Sequence, residues 1–134
     1  MKKITYLILL KTLLFAGFSF GQNPIPTPAF RFESDVYKFG KVQADSILSF
    51  FYTFQNTGNA PLVIADIKVE CGCTQADWPD QPVAPGATDT IFVAFDTAGK
   101  WGFQKRTLEI TANTLTNPTI LTFKGVVEKE KLRD

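Results

Sequence analysis

Two cysteines separated by one glycine, Cys71-Gly72-Cys73, are the constellation in this chain whose side chains could do chemistry. Three uses of the pair stay open. It can form a disulfide, structural or redox-active, and export to an oxidising compartment would favour the bond. In an extended strand the two Cα atoms would lie about 6.5–7 Å apart, near the upper limit for bridging, so a bond asks for a bend at Gly72. It can hold a soft metal such as Cu(I) between two thiolates. Or both side chains can simply pack, since free cysteine is among the most buried residue types. The chain has no histidine. Ser-His and Cys-His nucleophile pairs and His-ligated metals are therefore excluded, and two cysteines fall short of a four-ligand zinc site. Glycine-rich phosphate loops and nucleophile elbows are absent as well. No catalytic residue is assigned, no cofactor is called for, and the chain reads as a non-enzyme.

The elements that must position the cysteines belong to one domain. The chain has 134 residues, with 45% apolar and 20% charged side chains, an ordinary globular composition. Residues 1–21 read as a secretory signal peptide. Lys2 and Lys3 give the positive start, an apolar stretch interrupted by Lys11 follows, and Ser19-Phe20-Gly21 supplies the small residues of a cut before Gln22. Lys11 would be costly at the centre of a membrane span, so no span is expected once the signal is removed. Losing Lys2, Lys3 and Lys11 leaves eleven basic against thirteen acidic residues, a net charge of −2. That is no footprint for nucleic acid. Residues 22–29 hold Pro24, Pro26 and Pro28 and read as a stiff leader, and residues 129–134 form a charged tail.

Residues 30–128 show short runs of alternating apolar and polar side chains closed by turn residues, which is the strand signal. Leu48, Phe50, Tyr52 and Phe54 share one parity, as do Ile91, Val93 and Phe95, then Leu108, Ile110 and Ala112, then Leu121, Phe123, Gly125 and Val127. Turns fall at Asn56-Thr57-Gly58-Asn59, Pro85-Gly86 and Asn117-Pro118. A single strand is expected over Leu62 to Thr74, with its odd positions Val63, Ala65, Ile67, Val69, Cys71 and Cys73 facing the core. About seven strands and no helical period predict an all-β, immunoglobulin-like antiparallel sandwich. Trp78 and Trp101 fall in loops. They cover the open ends of the sandwich or, if both lie at one end, form recognition loops.

The runs Phe39-Gly40-Lys41-Val42, Tyr52 to Gly58, Pro61 to Ile64, Cys71-Gly72-Cys73-Thr74, Pro85-Gly86 and Lys124 to Val127 together closely resemble domain-of-unknown-function family 1573, a group of secreted bacterial domains. That family is similar to the immunoglobulin-like ASH domains. The resemblance covers roughly Phe30 to Glu128 and implies an immunoglobulin-like sandwich. It implies no activity.

Taken together, the residues point to an exported binding or assembly module, periplasmic or extracellular, whose partner is a protein or another envelope component. A thiol-based redox or copper-handling protein acting through Cys71 and Cys73 is the alternative. The intact mass of exported protein should correspond to a chain starting at Gln22, and a mass retaining Met1 would reject cleavage.

Overall fold

The computed structural model describes Ser19 and residues 21–129. The signal segment, apart from Ser19 and Gly21, and the tail beyond Lys129 lie outside the described residues. Eight strands run in chain order: β1 Phe30–Phe32, β2 Val36–Gln43, β3 Ile47–Asn56, β4 Ile64–Val69, β5 Thr74–Asp77, β6 Thr88–Asp96, β7 Gly102–Ala112 and β8 Thr119–Glu128. They form two four-stranded sheets, ordered β1-β3-β6-β5 and β2-β8-β7-β4. The result is the expected immunoglobulin-like β-sandwich, with eight strands rather than seven. All pairings are antiparallel except β2 with β8, which run parallel. The short β1 and β2 edge one flank of the sandwich, and β5 and β4 edge the other.

Alternation decides which side chains meet between the sheets. Phe50, Tyr52 and Phe54 from β3, Ile91, Val93 and Phe95 from β6, Leu108, Ile110 and Ala112 from β7, and Leu121, Phe123 and Val127 from β8 are all buried. Each large apolar side chain so buried contributes about 1.5–3 kcal/mol. Aromatic rings span the gap: Phe123 lies 5.3 Å from Phe50 and 5.2 Å from Phe95, centroid to centroid. Tyr37 of β2 stacks on Phe50 of the opposite sheet at 4.0 Å. Tyr52 adds a polar link, its hydroxyl donating to the Thr122 carbonyl of the facing sheet at 2.5 Å. Burial chiefly, with the Asp35 charge adding, raises this phenol well above its ordinary value of 10.0.

Between Leu62 and Thr74 the structure departs from the sequence expectation. Leu62 and Ile64 are buried, whereas Val63 is 41% exposed and Ala65 is exposed. The register explains the inversion. Ile64 lies opposite Ala112 and Asp66 opposite Thr111, leaving Ala65 as an extra residue without a partner. This bulge flips the parity, so the odd positions face inward only from Ile67 onward. The strand ends at Val69, the chain turns over Glu70 to Cys73, and Thr74 begins β5 in the other sheet. Cys71 and Cys73 therefore sit in a crossover turn and do not continue a strand face.

The other end of β3 is organised by Asn56, which is fully buried. Its Nδ2 donates to the carbonyls of Ala60 at 2.8 Å and Val83 at 2.9 Å. Its Oδ1 accepts from the amides of Gly58 at 3.0 Å and Ala29 at 3.3 Å. Its backbone carbonyl accepts from Gly86 at 2.7 Å, within the Pro85-Gly86 turn. One side chain thus satisfies four backbone groups that would otherwise be costly to bury. At Gly58 an added Cβ would fall 2.2 Å from the Thr27 carbonyl oxygen, because residues 27–29 pack against this turn. In the second sheet, β2 bulges between Lys38 and Gly40, and the Phe39 ring lies over Gly125 of β8.

Two consequences can be measured. A Cβ at Gly125 would meet the Phe39 ring at 2.3 Å, so Gly125→Ala should lower stability by about 1–3 kcal/mol in denaturant unfolding. Tyr52 has a raised folded-state pKa, so the stability it contributes is complete below its unfolded value and is lost as pH rises above it. The unfolding midpoint should therefore fall above about pH 10, and Tyr52→Phe should lose that part of the alkaline decline while costing about 1–3 kcal/mol at neutral pH.

Candidate functional site

Two places in the fold combine chemistry with access, one on each flank. The first is the turn between β4 and β5. Cys71 and Cys73 are joined by a disulfide, with Cα atoms 5.2 Å apart. The bend brings the pair well inside the spacing of a straight strand, as a bond requires. The turn is held by its backbone: Thr74 N–H donates to Cys71 O at 3.1 Å, and Asp96 N–H of β6 donates to Cys73 O at 2.8 Å. Both cysteines are half-buried, and Cys73 packs against the core. The Thr74 side chain is buried behind them, its hydroxyl 3.6 Å from Cys71 Sγ and 4.0 Å from Cys73 Sγ. Among the described residues no group of three or more His, Cys, Asp or Glu side chains is gathered as metal ligands. In the disulfide form neither sulfur is a thiolate, so the pair offers a reducible bond.

The second place is a cleft of about 640 Å³ on the β1–β2 flank. Its walls include Phe30 and Phe32 of β1, the Glu33–Asp35 link, the Thr114–Thr116 loop and Ile120 of β8. Leu115 is 88% and Ile120 45% exposed. Pairing of β2 with β8 begins only at Val36 and Thr122, where Thr122 N–H donates to Asp35 O at 2.8 Å. Residues 119–121 of β8 run past the start of β2. Backbone groups alternate sides along a strand, so Ile120 presents its N–H and C=O to the same side as Thr122, where β2 has not yet begun. An unpaired strand edge therefore borders a cleft of mixed polar and apolar lining. Glu33 and Asp35 are the charged residues lining it.

The sequence-singled residues are not gathered into one site. Trp101 is 66% exposed, next to Gly102 opposite Val127 at the end of the sandwich where β6 passes to β7. The Lys129 ammonium lies 4.7 Å from its ring centroid. Trp78 follows Asp77, which lies opposite Phe92, and the chain there leads toward the other end. It is half-buried and packs against the core. The two tryptophans thus do not form a joint recognition surface. Asn56, Gly58, Pro85 and Gly86 converge, through the hydrogen bonds of Asn56, on the same end of the sandwich as the cleft. Sequence reasoning missed Ile120 and the open edge beside it. The apolar Ile120 on the polar parity of β8, between Thr119 and Leu121, was the available signal.

Residues 30–127 match the family described as "Protein of unknown function (DUF1573)", and the chain belongs to that family. No curated protein matches it. Among solved structures it is similar to a protein of unknown function from Porphyromonas gingivalis W83, at 16% identity and TM-score 0.67, over 76% of this chain and 48% of that one. It thus spans about half the length of that relative. It is also similar to an ASH/PapD-like domain of human CEP192, at 7% identity and TM-score 0.60, over 87% of this chain and 97% of that domain. A third likeness is to the secreted serine protease VesC from Vibrio cholerae, at 15% identity and TM-score 0.55, over 75% of this chain and 23% of the protease. At these identities the likenesses establish the fold alone. No helix among the described residues is long and apolar enough to cross a membrane.

Proposed function

We propose that this domain is an exported, non-catalytic module that binds an extended segment of another envelope protein in the cleft beside β1 and β8. The observation that carries the reading is the overhang of residues 119–121, where an exposed strand edge meets exposed apolar side chains. An added strand would receive the Ile120 N–H and C=O and lay alternate side chains against Phe30, Phe32 and Leu115. Glu33 and Asp35, with no basic residue in the lining, favour a segment carrying Lys or Arg beside its apolar positions. The edges of the sheet that holds β8 are guarded: β2 carries Lys38 and Lys41, and β4 carries a bulge with Asp66 and Lys68. Export is supported by the charged and apolar stretch over residues 1–21.

Synthetic ten-residue peptides alternating apolar residues with lysine provide the probe, read by fluorescence anisotropy against acidic counterparts. The lysine peptides should bind and the acidic ones should not. Ile120→Lys should weaken binding at least about tenfold with the unfolding midpoint unchanged, because this side chain is 45% exposed. Equal affinity for wild type and variant would overturn the reading.

A further inference from the structure

We propose that Cys71 and Cys73 form a thiol–disulfide exchange site, with Thr74 as its positioning residue. The site lies on the flank opposite the cleft and stands independently of it.

Three observations carry this. The bond closes a very short loop, with a sequence separation of 2, so it constrains little of the unfolded chain. The turn it spans is already held by the Thr74–Cys71 and Asp96–Cys73 backbone hydrogen bonds, so its geometry does not depend on the sulfur–sulfur bond. And the Thr74 hydroxyl, on a residue only 4% exposed, has the two sulfurs as its hydrogen-bonding neighbours. A disulfide sulfur is a weak acceptor and a thiolate a strong one. The hydroxyl is therefore placed where negative charge appears when the bond breaks.

The reaction follows from which sulfur is shielded. Cys73 packs against the core, leaving Cys71 as the sulfur to attack. A thiolate of a small-molecule or protein thiol attacks Cys71 Sγ and forms a mixed disulfide. The electron pair of the broken bond goes to Cys73 Sγ, which leaves as a thiolate accepting the Thr74 O–H. A second thiolate attacks the incoming sulfur of the mixed disulfide and departs with it as a disulfide, freeing Cys71 as a thiolate. The two protons given up by the attacking thiols end on Cys71 and Cys73. Two thiols are oxidised to one disulfide and the Cys71–Cys73 bond is reduced; the reverse direction oxidises a reduced pair.

The full exported chain is equilibrated with reduced and oxidised glutathione in the absence of denaturant. Alkylation and mass read the reduced fraction, and circular dichroism reads the fold. The bond should reduce reversibly within the range of glutathione buffers while the β spectrum persists. Cys73→Ser should trap a glutathione adduct on Cys71. Thr74→Val should slow the approach to the glutathione equilibrium about fivefold, the worth of one such hydrogen bond to the leaving thiolate, and Thr74→Ser should restore the rate. Reduction seen only after the β spectrum is lost would overturn the proposal, as would a folded Thr74→Val chain that reduces as readily as wild type. If Thr74→Val does not fold, the wild-type titration alone decides.

Discussion

The layer of aromatic rings between the two sheets is the constraint on which the rest of this domain depends. Phe50 and Phe95 from one sheet meet Phe123 from the other, and the Tyr52–Thr122 hydrogen bond ties the sheets across the same layer. Protein interiors pack to near-crystalline density, so these rings set how far apart the sheets lie and which residues of each strand can turn outward. Phe39 illustrates the reach of this packing. Its ring fills the space above Gly125, and it can do so because β2 bulges beside it. The cohesion of the core is apolar burial with a few fully satisfied polar groups set into it.

Much of this was legible from residue types alone. Of the residues that the parities of β3, β6, β7 and β8 point inward, twelve are buried, while Leu48 and Gly125 are half-buried. Period-two alternation is a direct readout of a half-buried strand, which is why those segments were clear. The segment from Leu62 to Thr74 misled for an equally physical reason. Val63, Ala65, Ile67 and Val69 are apolar at every odd position, so the pattern has no visible break, yet the bulge at Ala65 depends on β7 and is not encoded locally. The turn at Gly72 is of the same kind: the crossover to the other sheet requires the bend, and Gly72 makes it without a positive φ and with open space where a Cβ would stand. Asn56 read as a turn residue, whereas its burial and four side-chain hydrogen bonds come from segments distant in sequence. The cleft was invisible for a related reason. It exists because β2 starts late relative to β8, and strand stagger leaves no mark on composition.

The two candidate sites occupy opposite flanks and use different physics. On one side an unfinished strand edge leaves backbone groups open, with Glu33 and Asp35 beside it. On the other, a buried hydroxyl stands behind a disulfide in a turn that backbone hydrogen bonds also hold. Likeness to ASH/PapD-like domains and to part of a secreted protease shows how widely this sandwich is used, so function has to be argued from such local departures from regular structure. The bulges at Phe39 and Ala65, the crossover turn at Gly72 and the stagger at Ile120 are those departures.

The central claim is that β8 lies between β7 and β2 but runs on unpaired past the start of β2, and residue-resolved amide hydrogen exchange on the folded chain addresses it directly. Leu121, facing β7, and Thr122, bonded to Asp35, should be protected, while the Ile120 amide between β7 and open solvent should exchange about a hundredfold faster. Protection of Ile120 equal to that of its two neighbours would show that the edge is already occupied and would contradict the account.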